Sequence, residues 1–385
     1  MRRVYCDANA TTPLLPEVFE AMRPFWMDDF GNASSIHLAG QQARKAVDQA
    51  RETLARFFHC REAEVVFNSG GTEGDNTAVF GLLRTGDHFI TTSIEHSAVL
   101  RAADRVAEHG VEVTFVAPGK NGLIDPEAIR AALAPNTRLI SVMLANNETG
   151  VLQPVEAIGL IAADAGAYFH IDAVQGAGKV PFDVQRFACH LCSISAHKMH
   201  GPKGVGAMYV RRGTPMQSLM VGGSHERRHR AGTLNVPGIV GLGKAAERAM
   251  ESLLDGTVER VAALRDRLEA GILRIAGTGV NGAGAPRAAN TTNIRFEQVE
   301  GEALVIALDL KGVAVSGGSA CHSGSTEPSH VLMAMGLDKN AARASLRFSL
   351  LKTATDEDVN HVLKVVPEAV EHLRALAPET AGTLG

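Results

Sequence analysis

Hydrophobic positions between about residues 40 and 210 follow two rhythms in alternation. Over 41–58, Ala43, Ala46, Val47, Ala50, Leu54, Phe57 and Phe58 recur at helical spacing, so one face of an amphipathic helix is predicted. Short apolar runs follow at 65–67, 89–90, 111–116, 139–144, 168–171, 191–194 and 205–210, each read as a buried strand. Helix-like segments such as 126–133 and 155–165 separate most of them. Strands alternating with helices predict βαβ crossovers and a largely parallel sheet covered on both faces. After about residue 255 the pattern changes. A long helical stretch (Val258, Val261, Leu264, Leu268, Ile272) precedes strand-like 292–296, a helix with Leu304 and Leu308, strand-like 313–315 and 345–350, and a final helix over 359–376 kinked at Pro367. A smaller α+β unit is expected there. The expected division is a large α/β unit over 16–255 and a small one from 1–15 and 256–385.

Three local patterns suggest chemistry that their context denies. His225-Glu226-Arg227-Arg228-His229 has the H-E-x-x-H form of zinc proteases, which requires a helix. Gly222-Gly223 before it and Gly232 after it predict a loop, and three arginines would repel a dication. Gly238 to Ala245 resembles a P-loop, yet Ala245 replaces the hydroxyl that should reach Mg²⁺ and no strand leads in. A Gly-rich helix start packed closely on a neighbour is expected instead. Cys189 and Cys192 have C-x-x-C spacing without a second ligand pair, so they are read as core thiols.

Composition narrows the class further. The chain has 385 residues, with 38 Lys+Arg against 42 Asp+Glu, a net charge of −4. That balance lacks the basic footprint of a nucleic-acid binder, so no direct nucleic-acid partner is expected. The longest uncharged stretch, 312–326, is Gly- and Ser-rich and cannot serve as a membrane span. Five cysteines and no apolar segment after Met1 lead to the expectation of a reducing cytoplasm.

Two strand ends and a turn then converge on one cofactor. Ser69-Gly70-Gly71-Thr72 follows a strand and opens a helix, which aims free N–H groups and a positive dipole end at one spot. Asp172 ends the apolar strand 168–171, at the sheet edge where α/β folds bind ligands. Lys198 follows strand 191–194, beside His197 and ahead of Gly201-Pro202-Lys203-Gly204. An anion site, a carboxylate for a ring nitrogen and an amine for an aldehyde together point to pyridoxal phosphate.

These segments resemble the cysteine desulfurases of the nitrogen-fixation and iron–sulfur-cluster group, class-V aminotransferase-like enzymes of fold type I. The likeness runs from Asp7-Ala8-Asn9-Ala10-Thr11-Thr12-Pro13 to Arg347-Phe348-Ser349 and includes Glu95-His96, Asn146-Asn147-Glu148-Thr149-Gly150 and Asp172-Ala173-Val174-Gln175. Its most specific part is Ser319-Ala320-Cys321-His322-Ser323-Gly324-Ser325, followed by Glu327-Pro328-Ser329-His330. The resemblance implies a fold type I α/β domain with a smaller α+β domain, a homodimer, L-cysteine as substrate and an acceptor protein such as an iron–sulfur scaffold. It makes Lys198 the Schiff-base lysine, Asp172 the partner of the ring nitrogen and His96 the imidazole stacked on the ring. Asn147 and Gln175 fall near the ring hydroxyl, and Asn147 also near substrate. Gly71, Thr72, Ser195 and His197 match phosphate contacts, and Thr233 one that reaches across from a second subunit. Arg347 matches the clamp for the substrate carboxylate. Cys321, set among small polar residues, matches the sulfur-accepting nucleophile, and His322 is either a group favouring its thiolate or a loop histidine without a role. No resident metal is implied; an iron–sulfur cluster is expected only as a transient contact through Cys321.

Arg228 stands where the family usually has Gly, Leu350-Leu351 where Gly-Arg is common, and Ala8-Asn9 varies an often reversed pair. Two other readings use the same scaffold, a selenocysteine lyase and an aminotransferase, though the latter has no use for Cys321. A docking protein with vestigial chemistry is the third, and a colourless protein would favour it.

Overall fold

The computed structural model describes residues 2–317 and 327–376. All seven apolar runs before residue 211 become strands of one sheet, ordered Val65–Asn68, Gly206–Val210, Leu191–Ser195, Tyr168–Asp172, Thr137–Ser141, His88–Thr92 and Glu112–Val116. Side chains alternate across its faces. Val65, Phe67, Ile90, Ile140, Cys192, Ile194 and Tyr209 enter one apolar cluster with helices Leu38–Phe58, Val155–Asp164 and Val236–Ser252. Val66, Phe89, Leu139, Leu191 and Met208 enter a second, under helices Gly71–Leu82 and Ser97–Ala107. Both faces are therefore covered, as a mainly parallel sheet requires.

Gly206–Val210 runs antiparallel to both neighbours. The link 196–205 is shorter than the roughly dozen residues a parallel crossover needs, so the chain can only turn back. Cys189 and Cys192 are fully buried, as expected of core thiols. The P-loop-like segment lies in helix Val236–Ser252, where a Cβ on Gly241 would stand 2.5 Å from Met22 Sδ and one on Gly243 2.9 Å from Ala50 Cβ. These glycines let the helix approach its neighbours.

A separate core joins Val4 and Cys6 to Val261, Leu268, Ile294, Leu304, Phe348 and Val366. The N-terminal strand Val4–Tyr5 pairs in parallel with Val313–Ala314, which ties the start of the chain to its last third. Ser316–Gly317, Ser345–Ser349, Thr291–Phe296 and Thr278–Val280 form a four-stranded antiparallel sheet against helices Thr257–Ile272 and Asp356–Leu376. Pro367 lies inside that last helix without ending it. Leu350, one of the departures from the family pattern, is buried in this core. Val331, Leu332, Met335 and Ala342 instead pack into the large core, although they lie beyond the expected boundary at 256. Among the described residues, no helix is long and apolar enough to cross a membrane.

The H-E-x-x-H segment is a short 3₁₀ turn, His225–Arg228, and its glutamate pairs with an arginine. Glu226 Oε1 and Oε2 receive Arg51 Nη2 and Nη1 at 2.6 and 2.9 Å, and Oε2 also accepts from Phe67 N–H at 2.8 Å. Arg51 also donates to Val65 O at 2.7 Å, and the pair is buried. Arg228 has φ +71°, a left-handed conformation that accounts for Gly at this place in the family. Glu226→Ala would leave the Arg51 guanidinium buried without its counter-ion. We expect a loss of about 3–5 kcal/mol of stability in denaturant unfolding.

Candidate active site

Three strand ends and two helix starts surround a cavity of about 440 Å³. Its lining includes Gly71, Thr72, His96, Asn147, Asp172, Gln175, Ser195, His197, Lys198 and Arg347. Among the described site residues expected from the sequence, one does not line it. Thr233 is exposed outside the cavity. Cys321, with His322, lies outside the described residues.

The anion end is built on Gly70 and Gly71. Gly70 has φ +144°, and a Cβ on Gly71 would meet Val174 Cγ2 at 2.5 Å, so only glycine lets the chain enter the helix here. The free N–H groups of helix Gly71–Leu82 start at this point. Glu73, in the first turn, is drawn away from it. Its carboxylate accepts from Ser69 N–H at 2.8 Å and from Arg230 Nε at 2.9 Å, and the Arg230 and Ser69 bonds hold it below its ordinary pKa despite burial. His197 Nδ1 lies 3.1 Å from Thr11 Oγ1, and burial pushes the ring down to about 4, so it is neutral.

Asp172 is buried at the end of its strand, and its Oδ1 accepts from Val174 N–H at 2.9 Å. Burial raises its pKa, while His96, that backbone bond and Lys198 oppose the rise. His96 caps helix Ser97–Ala107, with Nδ1 accepting from Ala98 N–H at 3.1 Å. A ring nitrogen that accepts carries no proton, so the proton of the neutral ring is on Nε2. Burial and Lys198 lower the His96 pKa, with Asp172 opposing. Lys198 follows strand Leu191–Ser195 in a 3₁₀ turn, and its Nζ donates to Asn9 O at 2.5 Å and Ala10 O at 2.8 Å.

Arg347 reaches the cavity from the small core's sheet. Its Nη2 meets Asp7 Oδ1 at 2.7 Å and its Nη1 donates to Asn147 O at 2.9 Å. Its Nε is buried without a hydrogen-bond partner among the described residues.

Four residues here were given no site role by the sequence reading: Asp7, Asn9, Asp75 and Lys179. Asp75 sits one helical turn after Gly71, a spacing that could have revealed it. It is buried on the cavity wall, its Oδ1 has no hydrogen-bond partner among the described residues, and burial beside Asp172 drives its pKa upward. His170 Nε2 stands 3.5 Å from that oxygen, and burial pushes the ring down to about 3, so this contact is not an ion pair at neutral pH.

The class-V aminotransferase model matches residues 4–362. The chain belongs to the class-V aminotransferase family. "Cysteine desulfurase 2" of Trichormus variabilis is 47% identical over 382 residues, covering 98% of this chain and 96% of that one. A solved "NifS-like protein" superposes with a TM-score of 0.88 at 36% identity, over 96% of this chain and all of the other (100%). "SspA in complex with cysteine" gives a TM-score of 0.80 at 35% identity, over 90% and 98% of the two chains. The fold is thus the fold type I α/β architecture expected from the sequence, and enzymes of this kind use pyridoxal phosphate. The donor set of this class-V member fits that cofactor. An amine, a buried carboxylate, a neutral imidazole and a helix start line one cavity, and Arg230 neutralises the carboxylate near its anion end.

Glu95, next to His96, carries a pH dependence of its own. Its carboxyl is buried, with Oε1 accepting from Thr92 Oγ1 at 2.7 Å and Met143 N–H at 3.0 Å and Oε2 without a partner among the described residues. Burial pushes it from 4.5 up to about 8. Between those values the folded state holds a proton that the unfolded state has released. Stability from this group is therefore complete below pH 4.5 and lost as pH rises through 8. Glu148, raised to about 7 by burial, has the same sign. Glu95→Gln should flatten the decline of thermal midpoint between pH 4.5 and 8, an effect of a few kcal/mol at most.

Proposed function

We propose that this chain is a pyridoxal-phosphate-dependent cysteine desulfurase, which converts L-cysteine to L-alanine and carries the released sulfur as a persulfide on Cys321. The observation that carries this reading is the meeting of Lys198, Asp172, His96 and Arg347 in one cavity at the helix start Gly71-Thr72. Likeness to cysteine desulfurases over nearly the whole chain narrows the family chemistry to this reaction.

Gly71, Thr72, Ser195 and His197 would hold the cofactor phosphate, and Lys198 its aldehyde. Asp172 would keep the ring nitrogen protonated, His96 would face the ring, and Asn147 and Gln175 would serve the ring hydroxyl. When bound, the cofactor supplies a sink for electrons released at the substrate α-carbon. Lys198 moves the α-proton. Arg347 takes the substrate carboxylate, for which its unpaired Nε is a ready donor.

In the sulfur step the Cys321 thiolate attacks the substrate sulfur. An S–S bond forms as the substrate Cβ–S bond breaks. Carbon keeps that electron pair and takes up a proton, which gives alanine and the persulfide. Chain connectivity supports this reach. Ser316 pairs with Arg347 itself, and Cys321 is four residues beyond Gly317, a span of up to about 14 Å. On the other side, Ser329 donates to Glu148, the neighbour of Asn147.

The exposed Thr233 and the exposed apolar side chains Trp26, Met27, Phe30 and Ile36 support a homodimer in which Thr233 completes the phosphate site of the other subunit. The acceptor of the persulfide is a protein such as an iron–sulfur scaffold, in the cytoplasm. The two hydrophobic cores support a cofactor-binding unit over 16–255 and a second unit from 1–15 and 256–385, with part of 327–342 packed onto the first.

Incubating the purified, cofactor-loaded protein with L-cysteine and a thiol reductant tests the reading. Alanine and sulfide should appear in equal amounts. Turnover of selenocysteine alone, or of amino-acid and keto-acid pairs alone, would replace it with one of the two other scaffold activities.

A further inference from the structure

Lys179 lies beside the cavity and has no part in the chemistry above. Its Nζ donates to Gln175 Oε1 at 2.8 Å and to Asn9 Oδ1 at 3.0 Å. No carboxylate pairs with it among the described residues. Burial, Lys198 and Arg347 together push its ammonium down to about 7. A part-buried ammonium held by neutral amides is a costly placement. The return is in what it orders.

A glutamine amide has two ends of nearly equal shape, and its hydrogen-bond network decides which way it points. A lysine ammonium offers three donors and no acceptor. The atom of Gln175 facing the charged Lys179 is therefore the carbonyl oxygen. Its Nε2 is then fixed on the other side, where one hydrogen goes to Asn9 O at 2.9 Å. The second hydrogen is left for a ligand, and Gln175 lines the cavity. Asn9 is itself immobilised. Its Oδ1 also accepts from Asn290 Nδ2 at 3.1 Å, and its Nδ2 donates to Thr291 Oγ1 at 2.9 Å and Asn147 O at 3.1 Å.

We propose that Lys179 is a positioning residue that locks the Gln175 amide with an N–H, not its carbonyl oxygen, toward an anionic ring oxygen of the cofactor. Without Lys179 the amide can rotate, and its oxygen would then repel that ligand oxygen. This inference rests on the cofactor assignment proposed above.

A double-mutant cycle on the full-length protein tests it, read by cofactor affinity and by the position of the bound cofactor's absorption band. Lys179→Met should weaken cofactor binding roughly ten-fold and shift the band, since a charge-assisted contact is lost and an acceptor can turn inward. Lys179→Arg, which retains donors and charge, should restore both readings. In a Gln175→Ala background, Lys179→Met should change affinity by less than about two-fold, because its target is gone. Equal losses in both backgrounds would overturn the proposal, as would a Lys179→Met protein with unaltered affinity and band. Thermal midpoints of the cofactor-free variants identify any that fail to fold, and Lys179→Arg against wild type in the two backgrounds then completes the comparison. A wild-type protein that binds no pyridoxal phosphate would instead defeat the underlying cofactor assignment.

Discussion

Lys198→Ala should lower cysteine turnover by roughly 10⁴-fold or more, because one amine serves both as cofactor anchor and as proton carrier. Its place in the structure explains why no neighbour can substitute. The strand Leu191–Ser195 delivers it to the sheet edge, and Asn9 O and Ala10 O hold its Nζ at 2.5 and 2.8 Å. Lys179, a second amine beside the cavity, is tied to Gln175 and Asn9. The variant should keep its fold, since Lys198 contributes little to either hydrophobic core. The measurement is alanine formed per enzyme under saturating cysteine, with circular dichroism as the control.

Cys321→Ser should be as severe for sulfur transfer and mild for cofactor binding. The hydroxyl is a far weaker nucleophile and cannot store sulfur as a persulfide. The cavity groups assigned to the cofactor come from elsewhere in the chain, so the yellow colour of the bound cofactor should persist. Alanine release from cysteine should fall by a factor of about 10³ or more in a single turnover. The four described cysteines are poor replacements. Burial pushes Cys6 and Cys60 up to about 12, and Cys189 and Cys192 are fully enclosed in the large core.

Much of this was legible in the sequence because the responsible forces are local. Seven apolar runs gave seven strands, since a strand buried on both faces has to be apolar, and only the edge strand Glu112–Val116 is largely open to solvent. Gly71, Asp172 and Lys198 could be placed because strand ends and helix starts fix where a side chain emerges. Strand Gly206–Val210 was found, but its reversed direction was not read, although the short link before it carried the signal. Asn9 and Lys179 were missed for a different reason. Their meaning arises only when residues near 9, 175, 198 and 290 meet, which no local pattern encodes. Val331 and Leu332 joined the large core because contact, and not chain order, decides which core a side chain fills. Glu226 shows the reverse case. A motif with a catalytic appearance forms a buried ion pair with Arg51.

The most direct measurement is peptide mass mapping after the loaded protein meets L-cysteine without reductant. One additional sulfur atom should appear on Cys321, on none of the other four cysteines, and not at all in Lys198→Ala. Sulfur on Cys60 in place of Cys321, or labelling of Cys321 that is undiminished in Lys198→Ala, would contradict the pairing of this amine with this thiol.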